Sequence, residues 1–279
     1  MPSNPKLQAY INGKIQPYED VVLHISDLSI QRGYGVFDFF KVQDGQPVFM
    51  KDYLERFNES ARLMELQVPL TEKELADTIY QLITINNLPI SGIKMILTGG
   101  YSGNGYDPAE PNLLIQQLPL LLPAPDIVAQ GLKVITHDHV REMPRVKTIN
   151  YAMGIRLIKQ IQKAGASDVL YQKNGVVSEF PRCNFFIVTQ DDTIVTPSED
   201  VLLGVTRKNA LALAGKNYKT EERTITIAEI ATAKEAFLTS TTKRILPIVQ
   251  VDNVIIGNGK PGAVTMGLLQ DLIDLEKKL

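Results

Sequence analysis

The sequence predicts an α+β fold built as two α/β domains, on three observations. Strand-like and helix-like segments are interleaved without strict βαβ alternation, which argues against one doubly wound sheet. A seam at Pro119-Leu120-Leu121-Leu122-Pro123-Ala124-Pro125 carries three prolines, which break helices and central strands alike. The length of 279 residues suits one large domain or two of moderate size. The reading is therefore a small N-terminal domain at 1–118, a linker at 119–127 and a large C-terminal domain at 128–279.

Before the seam, Ala9-Tyr10-Ile11-Asn12-Gly13-Lys14-Ile15 predicts a hairpin turning at Asn-Gly. Val36 to Val42 and Pro47-Val48-Phe49 predict a second strand pair, turning at Asp44-Gly45. Leu54, Phe57, Ala61 and Met64 recur at helical spacing, and a second helix is expected from about Glu72 to Asn86. Ile93 to Thr98 and Asn112 to Gln117 read as strands on either side of a glycine-rich loop.

After the seam, Leu132 to Thr136 predicts a strand. Tyr151, Ile155, Ile158 and Ile161 mark a helix that Gly165 can end. Val169 to Gln172, Val176 to Phe180, Asn184 to Thr189 and Thr193 to Val195 form a strand-rich block with turns at Asn174-Gly175 and Asp191-Asp192. A last helix is expected from near Thr206, its N-cap, to Gly215.

Composition narrows the function. A formal net charge of −2, with basic residues scattered, gives no reason to expect nucleic acid or an anionic membrane as partner. No apolar run approaches spanning length, and Met1-Pro2-Ser3-Asn4-Pro5-Lys6 lacks the order of a signal peptide. Cys183 is the single cysteine, so no internal disulfide can form, and a reducing cytoplasm is the expected compartment.

Two charged residues sit in segments that otherwise read as core. Lys147, between Val146 and Ile149, is either a solvated strand-end lysine or an amine drawn partly out of water, which suits a nucleophile. Glu179 shares a strand face with Val177, opposite Val176, Ser178 and Phe180. A carboxylate there needs compensation, from Arg182 or another arginine in an ion pair, or from a ligand N–H. Arg56 flanks an apolar helix stripe and pairs with Glu59 or Asp52, or clamps a phosphate. Gly204-Val205-Thr206-Arg207 opens a helix, whose N-terminal amides can bind phosphate, and Ser240-Thr241-Thr242 is either a turn or a further set of donors.

Other features carry less. Gly99-Gly100-Tyr101-Ser102-Gly103-Asn104-Gly105 is followed by Asp107-Pro108 rather than a helix, so it fits neither a P-loop nor a dinucleotide turn; a mobile loop lining a pocket is expected. His137 and His139 could share a strand face but have no evident third metal ligand, and no metal is expected. Cys183 has no evident histidine partner and reads as a small buried side chain.

Taken in order, Arg32-Gly33-Tyr34-Gly35-Val36-Phe37-Asp38, the Arg56 helix, Lys147 with Asn150, Glu179 with Asn184-Phe185-Phe186, Gly204-Val205-Thr206-Arg207 and Thr239-Ser240-Thr241-Thr242 resemble the class IV (fold type IV) PLP-dependent aminotransferases over nearly the whole chain. That resemblance implies pyridoxal 5'-phosphate (PLP) between two α/β domains, in a homodimer acting on amino acids and 2-oxo acids. It implies Lys147 as the Schiff-base lysine and Glu179 as partner of the pyridine nitrogen. Arg56, the amides of Val205 and Thr206, and Thr241 or Thr242 would hold the phosphate, with Tyr151 near the ring oxygen. Ping-pong transamination follows.

Substrate choice departs from the pattern. Gly99 stands where D-amino-acid enzymes and aminodeoxychorismate lyase carry an arginine, and Asn104 replaces a second arginine of the lyase. Phe37 resembles the branched-chain enzymes, Lys94 falls where some of them have arginine, and chain length with Ser-Thr-Thr resembles the D-amino-acid group. Arg32 is the candidate carboxylate clamp, unless it is a surface arginine paired with Asp27. The expected substrate-facing set is Arg32, Phe37, Lys94 and Tyr101. A D-amino-acid transaminase is the first reading, ahead of an L-branched-chain enzyme, a lyase and a silent binding protein on the same scaffold.

Overall fold

The computed structural model describes residues 7–279 and divides the chain into two compact units. The N-terminal stretch 1–6, read above as unlike a signal peptide, lies outside the described residues. One unit runs to Leu121 and also takes up Val146–Asn150; the other comprises Leu122–Arg145 and Tyr151–Leu279. Among the described residues no helix is long and apolar enough to cross a membrane.

The first unit contains β1 (Gln8–Ile11), β2 (Lys14–Pro17), α1 (Leu28–Arg32), β3 (Gly35–Gln43), β4 (Gln46–Pro47), α2 (Met50–Leu63), α3 (Glu72–Asn86), β5 (Ile90–Thr98) and β6 (Leu113–Pro119). Its antiparallel sheet has the order β2-β1-β6-β5-β3-β4. Both hairpins turn on left-handed pairs, Asn12-Gly13 (φ 45° and 90°) and Asp44-Gly45 (φ 52° and 78°). Phe49 is not the strand residue expected: it takes φ 55° and enters α2 as its N-cap.

Val36, Phe40, Met95, Leu97 and Ile115 are buried on one sheet face, where α2 brings Tyr53, Leu54, Phe57 and Ala61. α3 begins in a capping box, Thr71 with Glu74, and buries Leu75, Ile79 and Leu82. The opposite face of the sheet, with Phe37, Phe39, Lys94, Ile96 and Leu114, is only half-buried.

The second unit contains α4 (Pro125–Gln130), β7 (Leu132–Asp138), α5 (Ala152–Arg156), α6 (Ile158–Lys163), β8 (Asp168–Lys173), β9 (Val176–Val177), β10 (Asn184–Val188), β11 (Ile194–Thr196), α7 (Val205–Ala214), β12 (Thr220–Glu222), β13 (Ile225–Thr226), α8 (Ile227–Ile230), β14 (Glu235–Ser240), β15 (Arg244–Val251), β16 (Val254–Ile255) and α9 (Ala263–Glu276). Its mixed sheet runs β12-β11-β10-β14-β15-β7-β8-β9-β13, with β16 beside β15. Phe185, Ile187, Leu238, Leu246 and Leu170 form the centre of its core.

Three expectations change here. The helix expected from Tyr151 is split at Leu157, whose ψ of −8° flattens the turn between α5 and α6. The strand expected at Val176–Phe180 ends at Val177, and Ser178, Glu179 and Phe180 are all buried rather than alternating. The N-cap of α7 is Gly204, and Thr206 lies within the helix.

Candidate active site

Lys147 belongs to the first unit, although its position in the chain suggests the large C-terminal domain. The reason is an open strand edge. β4 covers only the Val42-Gln43 end of β3, and 147–149 pair with the other end. Phe37 N–H donates to Lys147 O (2.9 Å), Ile149 N–H to Gly35 O (3.1 Å), and Val36 faces Thr148. Lys147 N–H also donates to Ser60 Oγ on α2 at 3.2 Å. Gly35 allows this approach: a Cβ there would stand 2.7 Å from Leu97 O and 3.2 Å from Ile149 Cδ1.

The Lys147 side chain stands over Phe37, Nζ 4.7 Å from the ring centroid, and Lys94 Nζ lies 5.1 Å from the same ring. Burial holds the Lys94 ammonium below its ordinary pKa.

Arg56 clasps Asp38, a residue the sequence reading passed over. Its Nε and Nη2 reach Asp38 Oδ2 and Oδ1 at 2.9 and 2.6 Å, and the carboxylate is fully buried. Glu59, one of its expected partners, binds Arg62 instead. The signal for Asp38 was present in the strand alternation, which puts an acid between Val36 and Phe40 on the core face.

Arg32 is exposed at the end of α1 and donates to Gln31 O at 3.0 Å. It does not pair with Asp27. That carboxylate is fully buried and accepts from Ser29 N–H (2.8 Å), Thr98 Oγ1 (2.7 Å) and Asn112 Nδ2 (2.7 Å). Asp27 thus fastens α1 to the ends of the glycine-rich loop.

The loop is stitched down rather than hanging free. Leu28 N–H donates to Gly100 O, Ser102 N–H to Ser26 O and Ala109 N–H to Gly99 O. Tyr101, 43% exposed, lines a pocket of about 570 Å³ with Tyr10, Asn12 and Glu110. At Gly99 a Cβ would meet the Tyr34 ring at 2.6 Å, so the space an arginine there would need is filled.

In the second unit Glu179 is buried and accepts from side-chain and backbone N–H donors. Arg141 Nε reaches Oε1 at 2.8 Å, while Leu202 N–H (2.9 Å) and Asn184 Nδ2 (3.5 Å) reach Oε2. An arginine partner was expected, with Arg182 the named candidate; the residue found is Arg141. It lies in the irregular stretch after β7, where no periodicity marks it.

Asn184 links Glu179 to the start of α7. Its Nδ2 donates to Leu202 O at 2.8 Å, and a Cβ on Gly204 would fall 2.1 Å from its Oδ1. No side chain caps α7, so the amides at Val205 and Thr206 open a helix end suited to an anion. β14 is the neighbour of β10, with Thr239 opposite Asn184, and Thr241 and Thr242 follow in the turn to β15. Thr239 Oγ1 is buried without a hydrogen-bond partner. Tyr151 is half-buried as the N-cap of α5. Of the remaining candidates, His139 packs edge-on against Tyr171 at 4.8 Å, and burial raises the pKa of the Cys183 thiol.

These residues fit PLP. The first unit offers an amine over an aromatic ring and a fixed guanidinium. The second offers a carboxylate held by hydrogen bonds, an uncapped helix end and a hydroxyl-bearing turn.

The chain matches the family model described as amino-transferase class IV over residues 35–251. It is 28% identical over 286 aligned positions to a putative branched-chain-amino-acid aminotransferase of Methanocaldococcus jannaschii, covering 98% of this chain and 97% of the relative. It is 26% identical to a D-alanine aminotransferase of Bacillus licheniformis, covering 93% of each. Its fold is similar to that of the T.th. branched-chain amino acid aminotransferase solved with pyridoxamine 5'-phosphate (TM-score 0.91, 21% identity, 97% of this chain and 94% of that one).

Proposed function

Because the chain belongs to the class IV aminotransferases, PLP-dependent enzymes, we propose that it moves an amino group from a D-amino acid to a 2-oxo acid in a ping-pong cycle. PLP when bound supplies an electron sink for the bond broken at the substrate Cα. The other parts of the reaction fall to residues of this chain.

Lys147 would supply the amine that attaches the cofactor and, when free, would act as the base that removes the substrate Cα proton and the acid that delivers it to the cofactor side. Glu179 accepts the ring N–H through a carboxylate that Arg141, Leu202 and Asn184 keep in place. Arg56, the amides of Val205 and Thr206, and Thr241 or Thr242 hold the phosphate, and Tyr151 faces the ring oxygen. The donor would give up its amino group for an oxygen from water and leave as a 2-oxo acid, and a second 2-oxo acid would take up that amino group with release of water. Phe37, Lys94 and Tyr101 face the substrate.

Arg32 carries the substrate reading. It makes no ion pair among the described residues, its α1 is anchored by buried Asp27, and its Nη2 lies 3.9 Å from the Cβ position of Gly105. An exposed guanidinium on a fastened support suits a substrate carboxylate. The D preference rests on the Ser240-Thr241-Thr242 turn. Phe37 favours an L-branched-chain donor as the second reading, and relatives of both names match at similar identity.

The test is a panel of D-alanine, D-glutamate, L-leucine and L-valine, each with 2-oxoglutarate. Turnover confined to the L-substrates replaces the first reading with the second. Arg32→Ala should raise KM for the accepted donor; unchanged KM and kcat/KM across the panel removes the clamp. Borohydride should fix PLP at Lys147, and absence of colour with PLP would defeat the whole assignment. We also read the working form as a homodimer, which light scattering checks.

A further inference from the structure

Two lysines flank one aromatic ring in the first unit. Lys147 lies directly across from Phe37 on one side of β3, since the Phe37–Lys147 backbone bond sets that register. On the other side, β5 places Lys94 opposite Phe39 and hence diagonal to Phe37. Neighbours across strands share a face, so all three side chains stand together on the half-buried side.

The two ammonium groups are 4.7 and 5.1 Å from the ring centroid, and so no farther apart than the sum of these distances. That separation is within roughly one Debye length of about 10 Å. The Lys94 side chain makes no ion pair or hydrogen bond among the described residues; the Phe37 ring is its contact.

Phe39, Ile96, Leu114 and Gln116 lie beside them on this face. Asp38 and Arg56 are bound to each other from the core side, and α2 brings Ser60 to the Lys147 backbone. Lys41 is buried four residues farther along β3, beyond Phe39, whose ring covers Gly92. Four residues of strand span about 13 Å, farther than Lys94.

We propose that Lys94 is a positioning residue that tunes Lys147: its ammonium, on the far flank of Phe37, disfavours a second positive charge there and keeps the Lys147 amine readily deprotonated near neutrality. Like charges across a low-dielectric group raise the cost of protonating both, and the two amines titrate as a pair. A neighbouring cation is an established way to activate a lysine nucleophile. The inference rests on the reading of Lys147 as the attachment lysine.

The test uses PLP-loaded protein and follows the visible absorbance of the lysine-bound cofactor against pH. Lys94→Met should raise the protonation midpoint by about one pH unit, and Lys94→Arg should restore it. In cofactor-free protein, the rate at which a small acylating reagent labels Lys147 at pH 7, read by mass spectrometry, should fall about tenfold in Lys94→Met. It should recover in Lys94→Arg.

An unmoved midpoint and labelling rate in Lys94→Met overturn the proposal. Equal shifts in the Met and Arg variants overturn it too, because they would report packing rather than charge. A change limited to KM, with the midpoint unmoved, overturns the tuning and leaves Lys94 with its substrate contact alone. If borohydride fixes no cofactor at Lys147 in the unsubstituted protein, the attachment reading falls and takes the tuning with it. Fixation at Lys147 with an unmoved Lys94→Met midpoint removes the tuning alone.

Discussion

Arg141 Nε meets Glu179 Oε1 at 2.8 Å, and both side chains are nearly inaccessible to water, 12% and 5% exposed. The pair joins an irregular segment to the end of a short strand. Its energetic meaning is asymmetric, because removing one partner strands the other charge in a poor solvent.

Arg141→Met is therefore expected to destabilise the fold by about 3 kcal/mol, measured by urea unfolding. Glu179→Gln keeps the shape but loses the charge that Arg141 requires and, in the proposed role, the charge that would face the cofactor ring. Its transaminase kcat should fall at least about a hundredfold, on the scale of lost transition-state charge stabilisation. Full activity in Glu179→Gln would remove Glu179 from its assigned role.

Arg56 and Asp38 make the corresponding pair in the first unit. Asp38→Ala leaves the Arg56 cation beside the core and should cost about 3 kcal/mol, while Asp38→Ala with Arg56→Met should be more stable than Asp38→Ala alone. If Arg56 also holds the phosphate, Arg56→Lys should weaken PLP binding by roughly tenfold, because Lys keeps the charge without the fork. An absorbance titration with PLP reads that difference.

Gly204 offers a steric test. An added Cβ would lie 2.1 Å from Asn184 Oδ1, so Gly204→Ala must displace either Asn184 or the start of α7. A loss of about 1–3 kcal/mol is expected, together with weaker PLP binding. Gly103, with nothing within 4 Å of its Cβ position, is the control, and Gly103→Ala should leave the melting temperature within a degree or so. Equal behaviour of the two variants would contradict the packing account.

His139 makes stability pH-dependent. Burial first, then the nearby charges of His137 and Arg141, hold its pKa below the ordinary 6.5. Between 6.5 and that lowered value the unfolded chain binds more protons than the folded one. The stabilisation is therefore complete above 6.5 and is lost as pH falls through the folded value. His139→Phe should flatten the fall in melting temperature between pH 7 and acid conditions; an unchanged slope would place the sensitivity elsewhere.

Much of the fold was legible because its signals are local. Asn12-Gly13, Asp44-Gly45 and Asn174-Gly175 announce turns through backbone angles that few other residues adopt, and the apolar stripes of α2 and α3 follow from their spacing. The prolines at 119, 123 and 125 fall where β6 ends and α4 begins.

What stayed hidden depends on partners distant in sequence. Nothing near Arg141 shows that it will meet Glu179, 38 residues on. Thr206 looked like a cap because its side chain can cap, whereas the close approach of Asn184 leaves room only for Gly204. The candidate chemistry was readable as an ordered series of motifs. Which strand edge would receive Lys147 was not, because that was decided by how far β4 extends along β3.

The five residues Val146–Asn150 interrupt the second unit's stretch of chain to complete the first unit's sheet. The polypeptide consequently passes between the units three times, so neither corresponds to a continuous piece of gene. A fragment ending at the proline seam would lack both the lysine and the strand that shields one end of β3. Exchange of whole domains with a relative would have to move this short insert as well. For engineering and for evolution alike, the unit of inheritance is the entire chain.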